Sequence, residues 1–296
     1  MTRRAVPLLL FVAVVASGCG ARSEPLGPLA QEYPVRVEGA GDRPAVLTAP
    51  AERIVVLDPG SAELLVTLGA GERLVGVPAG LDEALPDAHR VVQSTGQVSV
   101  DEVIRLEPDL IVATPAVDQV DVARSERESG AAAYVQPASS VDDVVRGVIE
   151  LGFLAGEAAA ARTLAGSIRE EVGQVEGRIA GATSVPVFID TGFLITVPER
   201  SLIGDLVRRA RGQSVAGPNP GPEPFEACEV AGLEPAVLLL VVQPGRAAGT
   251  PSFRDCARTP DIRVERIPAD LVLRPGPRLG EALAAVARAL HPDASG

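Results

Sequence analysis

Apolar and polar positions follow one another along this chain in blocks that predict strand, helix, strand, helix. Residues 53–58 (Arg53-Ile54-Val55-Val56-Leu57-Asp58) form an apolar run of strand length, and Pro59-Gly60-Ser61 turns it. Ser61 is the expected N-cap of a helix over residues 62–68, which Gly69-Ala70-Gly71 ends. Residues 74–77, Leu110–Ala113 and Ala132–Val135 read as further strands, with a helix over 117–128 between the last two. The second half repeats the pattern, with strands at Val185–Asp190 and Val237–Val242, a helix over 202–211 and a closing helix at Leu279–Leu290. Residues 33–51 alternate weakly and read as a leading hairpin. Strands and helices in this order imply parallel sheets covered on both faces.

Between the halves, Leu164, Ile168, Val172, Val175 and Ile179 are spaced 4, 4, 3 and 4, a single helical stripe. One helix over residues 156–180 would run ~37 Å, longer than a crossover needs. Gly166, Gly173 and Gly177 lower its intrinsic propensity by about 1 kcal/mol each, so packing must hold it. The pattern therefore predicts an α/β protein of two three-layer lobes joined by one long interdomain helix, with a ligand cleft between the lobes. The expected boundaries are a signal peptide over 1–18, a lipidated tether over 19–33, an N-terminal lobe over 34–153, a bridging helix over 154–182 and a C-terminal lobe over 183–296.

A short phrase occurs once in each half. Leu106-Glu107-Pro108-Asp109-Leu110-Ile111-Val112 is matched by Leu233-Glu234-Pro235-Ala236-Val237-Leu238-Leu239. Each copy follows an amphipathic stretch carrying acids. Helix, proline, buried strand is one step of a covered sheet, and its recurrence supports two similar lobes.

The ends and the composition narrow the class. Arg3 and Arg4 precede an apolar run from Ala5 to Ala16 that is too short to span a bilayer, and Ala16-Ser17-Gly18-Cys19 resembles a bacterial lipobox. Cleavage before Cys19 and lipidation of its thiol would place the protein outside the cytoplasm, anchored to the cell membrane. Without Arg3 and Arg4 the chain carries 25 basic and 39 acidic residues, a net charge of −14 with no lysine. No basic stripe is present, so nucleic acid is not an expected partner. Cys228 and Cys256 remain as an even pair in an exported chain and read as a disulfide. His89 and His291 are the only histidines, both beside expected surface turns, so no metal site is expected. No G-x-S-x-G, P-loop or G-x-G-x-x-G stands between a strand and a helix, so no enzyme and no cofactor is expected.

Several ordered motifs resemble the bacterial lipoprotein receptors that bind iron-siderophores, cobalamin or haem for ABC importers. Residues 52–64 resemble that family's first strand and turn, and Leu68-Gly69-Ala70-Gly71-Glu72-Arg73-Leu74-Val75-Gly76-Val77 resembles the following helix end and strand. Leu106-Glu107-Pro108-Asp109-Leu110-Ile111 is similar to its helix-Pro-Asp-strand signature, and Arg274-Pro275-Gly276-Pro277-Arg278 to the loop that opens its last helix. The resemblance runs from about Tyr33 to His291. It implies a monomeric receptor that passes a small-molecule metal chelate to an ABC permease, docking through one acid on each lobe.

For docking the resemblance points to Asp101 with Glu102, and to Glu226 and Glu229 flanking Cys228, which stands where the second acid is expected. Loops at strand carboxyl ends supply the candidate ligand contacts: Pro59, Ser61, Gly96, Gln97, Tyr134, Phe193, Arg200, Arg274 and Arg278. Arginine suits carboxylate, catecholate or phosphate oxygens, and the two aromatics suit a flat ligand. Aromatics make up only 3% of the chain and tryptophan is absent, which favours a ferric siderophore over cobalamin or haem. The competing expectation is an envelope interaction or sensor lipoprotein that keeps the fold without transport.

Overall fold

The computed structural model describes residues 31–41, 43–81, 84–221, 223–243, 249, 251–256 and 261–294. The expected signal peptide, Cys19 and most of the tether lie outside the described residues. The leading hairpin is β1 (Val35–Val37) against β2 (Ala45–Leu47), antiparallel. A five-stranded sheet follows, built from β3 (Ile54–Val56), β4 (Leu74–Pro78), β5 (His89–Val92), β6 (Leu110–Ala113) and β7 (Ala132–Val135). Its order is β5-β4-β3-β6-β7 and every pairing is parallel. A second parallel sheet, in the order β11-β10-β8-β9, contains β8 (Val185–Asp190), β9 (Gly212–Ser214), β10 (Val237–Val242) and β11 (Arg263–Pro268).

Helices cover both faces of each sheet, as parallel strands buried on two sides require. In the first lobe α1 (Pro59–Thr67) and α4 (Val141–Leu154) lie on one face, with α2 (Val100–Arg105) and α3 (Gln119–Ser129) on the other. In the second lobe α6 (Leu202–Arg209), α8 (Ala269–Val272) and α9 (Leu279–Leu290) share a face with α5 (Ala158–Arg178), and α7 (Ala227–Gly232) packs on the opposite one. The stripe Leu164, Ile168, Val172, Val175 and Ile179 faces a single apolar core that runs through both lobes.

Helix α5 holds 21 residues, about 31 Å, and is shorter than the expected span at both ends. Gly156 adopts φ +76° and breaks the chain between α4 and α5, and Glu157 takes the N-cap position. Gly152 lets the two helices meet, since a Cβ there would lie 2.2 Å from Ala161 Cβ. Helix α1 begins three residues earlier than expected, because Asp58 rather than Ser61 is its N-cap and Pro59 opens it. Strands β5, β9 and β11 carry too little apolar alternation to be read from sequence.

The repeated phrase folds twice into one turn. Leu106 N–H donates to Glu102 O and Val103 O, and Leu233 N–H to Glu229 O and Val230 O. Glu107 and Glu234 both take left-handed backbone, at φ +46° and +52°. Asp109 N–H then donates to Arg53 O at 3.0 Å, and Ala236 N–H to Pro186 O at 2.9 Å, handing the chain to the neighbouring strand. Asp109 adds a side-chain bond to Glu52 N–H at 2.7 Å that Ala236 cannot make.

The lobes meet along a seam of strand-end loops. Gly60 approaches Pro275 so closely that a Cβ would lie 2.9 Å from its Cδ and 3.0 Å from its nitrogen. Replacing Gly60 with alanine should push the lobes apart and destabilise the protein by about 1–3 kcal/mol in denaturant unfolding. Alanine at Gly166, where a Cβ meets nothing within 4 Å, should instead stabilise by up to about 1 kcal/mol. Equal effects at the two positions would contradict this packing.

Candidate functional site

Each first-lobe strand delivers its carboxyl end toward the same side of the sheet, and the second lobe's loops meet these ends. Ser61, fully buried at the start of α1, donates from Oγ to Gln136 Oε1 at 2.7 Å. Gln136, at the end of β7 and also fully buried, donates from Nε2 to Pro275 O at 3.2 Å. Glu63 on α1 pairs with Arg274 at 2.8 Å. Deeper in the seam, Asp205 on α6 accepts Val141 N–H at the start of α4 at 3.0 Å. Arg209 ties three helices together through Asp205, Glu176 and Asp142, at 2.9, 2.8 and 2.6 Å. Burial alone would raise the Asp205 pKa, but hydrogen bonds from Val141, Arg209 and Arg208 hold it below the usual carboxylate range.

The expected ligand residues separate into two groups. Gly96, at φ +88°, and Gln97 form an exposed turn beyond β5, with Gly96 N–H donating to Gln93 O. Pro59 is half-buried at the head of α1. Phe193 is 91% exposed in the loop after β8, and Arg200, farther along that loop, is exposed without an ion pair among the described residues. These five remain open to a ligand.

The other four are engaged by the protein. Ser61 belongs to the seam. Tyr134 is 1% exposed, and its hydroxyl donates to Glu150 at 2.5 Å, so it is a core residue and not a ligand platform. Burial and that bond raise its pKa. Arg274 joins the lobes, and Arg278 pairs with Asp270 at 3.5 Å. His291, expected at a surface turn, is buried with Nε2 2.9 Å from Ala210 O. His89 lies 3.4 Å from Glu102. Among the described residues no group of three or more His, Cys, Asp or Glu is placed to hold a metal ion.

The docking candidates stand at matching places. Asp101 and Glu102 occupy the first turn of α2; Glu226 is the N-cap of α7 and Glu229 its third residue. Both helices begin on the carboxyl-end side of their sheets. Glu102 and Glu229 each lie six residues before the repeated proline, so they are the true equivalents. Asp101 is 89% exposed at its side chain, with Arg124 3.6 Å away, whereas Glu102 pairs with Arg105. Glu226 and Glu229 form a reciprocal capping box. Cys228 is bonded to Cys256 across a separation of 28 residues, which pins the start of α7 to the loop between β10 and β11.

A groove of about 760 Å³, lined by Arg53, Val66, Leu74, His89 and Leu106, opens at the amino ends of β3–β5. It is on the far side of the lobe from the cleft loops, and Arg53 already binds the carbonyls of Leu106 and Glu107 there.

Two buried aspartates, one at each lobe's first parallel strand end, were not among the nine expected ligand contacts. Asp58 Oδ1 accepts Ser61 N–H at 2.9 Å, but Oδ2 has no hydrogen-bond partner among the described residues. Burial pushes its pKa up to about 6, against the lowering effect of the Ser61 and Gly60 N–H groups. Asp190 is likewise raised by burial. A folded-state pKa above the unfolded value means that Asp58 contributes stability below about pH 4, and this is lost as pH rises through about 6. The loss should reach about 3 kcal/mol. Denaturant unfolding of the native chain and Asp58→Asn at both ends of that window should show the variant losing less stability with rising pH. Parallel pH profiles would contradict this assignment.

Comparison with known proteins agrees with this architecture. The family model described as "Periplasmic binding protein" matches residues 54–232. The uncharacterized ABC transporter substrate-binding lipoprotein YvrC of Bacillus subtilis is 23% identical, over 96% of this chain and 96% of its own. A cobalamin-binding protein of Halobacterium salinarum is 27% identical, over 88% of this chain and 74% of its own. The solved periplasmic vitamin B12 binding protein of Vibrio cholerae superposes with a TM-score of 0.69 at 20% identity, covering 82% of this chain and 98% of that one. The chain belongs to the periplasmic binding protein family, and it is a binding protein rather than an enzyme.

Proposed function

We propose that this protein is a lipid-anchored receptor, tethered through Cys19, that captures a metal chelate between its lobes and delivers it to an ABC import permease. The observation that carries the reading is the duplicated turn. It sets acid-bearing helix starts, α2 and α7, at equivalent places on the side of each lobe where the strand ends deliver the cleft loops. A permease presenting a cation to each lobe would be met by Asp101 and Glu102 on one side and by Glu226 and Glu229 on the other.

On this reading the ligand contacts are the exposed ring of Phe193, the exposed Arg200, without an ion pair among the described residues, and the exposed polar turn Gly96-Gln97. This set suits a chelate with an apolar face and acceptor oxygens. Cobalamin gains weight from relatives named for binding it. A ferric siderophore keeps the support of the sparse aromatics, and haem is the third candidate of this ligand class. The Cys228–Cys256 bridge, at the position equivalent to Asp101, favours a second reading, an envelope interaction or sensor module without its own importer.

Titration with cyanocobalamin, haemin and a panel of ferric siderophores, followed by visible absorbance, separates the two. At least one chelate should bind with micromolar or tighter affinity, about −8 kcal/mol or better. Silence across the panel would favour the interaction module. Reversing charge at both Asp101 and Glu229, as Asp101→Arg with Glu229→Arg, should abolish uptake in cells while leaving chelate affinity within about twofold. Normal uptake would reject the docking assignment.

A further inference from the structure

Each lobe ends its first parallel strand with a buried aspartate that accepts backbone N–H groups from the residues just beyond it. In the first lobe Asp58 does this for Ser61, and a helix follows. In the second lobe Asp190, 3% exposed, accepts from Gly192 N–H at 2.8 Å and Leu194 N–H at 2.9 Å through the same oxygen, Oδ1. No helix follows there. Gly192, Phe193 and Leu194 instead run through left-handed backbone at φ +131°, +57° and +58°. Ile195 closes the turn: its carbonyl accepts from Thr191 N–H and Oγ1 at 2.8 and 2.9 Å, and its own N–H donates to Gly192 O at 3.1 Å.

Left-handed conformations at non-glycine residues are unfavourable and persist only where the surroundings over-determine them. Two things over-determine this turn. Asp190 holds its amides from below, and Leu194 plugs into the apolar cluster with Phe188 and Phe225. The alternative, a relaxed extended loop, would leave a buried carboxylate without its donors. The result is that Phe193 is turned outward while its neighbour is buried. Leu194 O also accepts Phe225 N–H at 3.1 Å, one residue before Glu226, the N-cap of α7. The Cys228–Cys256 bond then fixes the first turn of that helix.

We propose that Asp190 is a positioning residue that holds the ligand-facing Phe193 turn and the start of α7, with Glu226 and Glu229, as one fixed unit. This rests on the reading of the chain as a chelate receptor that docks through α7. The unit makes the position of the ligand-facing ring and that of the docking acids interdependent, because the Phe225 N–H to Leu194 O hydrogen bond and the packing of Leu194 with Phe225 join the two segments. Phe193 presents an exposed aromatic ring, so the ligand class that gains from the turn is one with a flat conjugated surface; a compact hydroxamate chelate gains little from it.

The test combines amide hydrogen exchange on the ligand-free chain with binding of cyanocobalamin, haemin and a ferric hydroxamate. Asp190→Ala should speed exchange at Gly192, Leu194 and Phe225 by at least about tenfold and leave strand amides such as Leu239 unchanged. Asp190→Asn, which keeps the accepting oxygen, should restore protection; Asp190→Ser serves if the alanine variant does not fold. Phe193→Ala should keep all three amides protected yet weaken the flat ligands about tenfold more than the hydroxamate. Unchanged exchange at Phe225 in Asp190→Ala and Asp190→Ser, or no rescue by asparagine, would overturn the positioning role. A native chain that binds no probe would overturn the receptor reading, and the exchange result would still decide the role of Asp190.

Discussion

The close approach of Gly60 to Pro275 is the constraint on which the rest of the structure depends. Only a residue without a Cβ lets the head of α1 sit against the loop before α9. Once they touch, Ser61, Gln136 and the Pro275 carbonyl complete a buried polar chain across the lobes, and Arg274 reaches Glu63. Polar groups this deep are stabilising only when satisfied, so the chain of bonds specifies one relative placement of the lobes. The Arg209 hub repeats the device among α4, α5 and α6. A receptor built this way has its cleft set before the ligand arrives.

Function then depends on what lies either side of the seam. In both lobes the duplicated turn carries the chain from a short acid-bearing helix into a buried strand, and in both a glutamate takes the left-handed position that glycine usually fills. The lobes diverge at equivalent positions. Asp58 caps a helix, whereas its counterpart Asp190 anchors a loop that displays an aromatic ring. Asp101 is open to solvent, while its counterpart Cys228 is spent in a disulfide that holds α7 in place. The first lobe thus offers an exposed acid, and the second offers acids braced by a cap and a covalent tie.

Much of the architecture was legible in the sequence because buried parallel strands are continuous apolar runs. Leu110–Ala113, Ala132–Val135, Val185–Asp190 and Val237–Val242 were readable to the residue. The edge strands β5, β9 and β11 were not: β11 reads Arg-Val-Glu-Arg-Ile-Pro, and half-exposed pairing leaves only a faint pattern. The Cys228–Cys256 pairing followed from counting cysteines in an exported chain. The site was less legible, because a side chain's partner depends on distant segments. Arg274 looked free and instead meets Glu63, more than two hundred residues away in sequence. Tyr134 looked like a ligand platform and sits in the core, buried although β7 is an edge strand. Asp58 and Asp190 ended two apolar runs, and that shared position was the available signal.

The most direct test of a pre-set cleft is a pulsed electron-resonance distance between nitroxides at exposed positions on opposite lobes, Val120→Cys on α3 and Gln213→Cys on β9. The seam predicts a single narrow distance distribution that stays in place when a chelate is added. A broad or two-peaked distribution, or a shift to a shorter distance on binding, would show lobes that hinge and would contradict it.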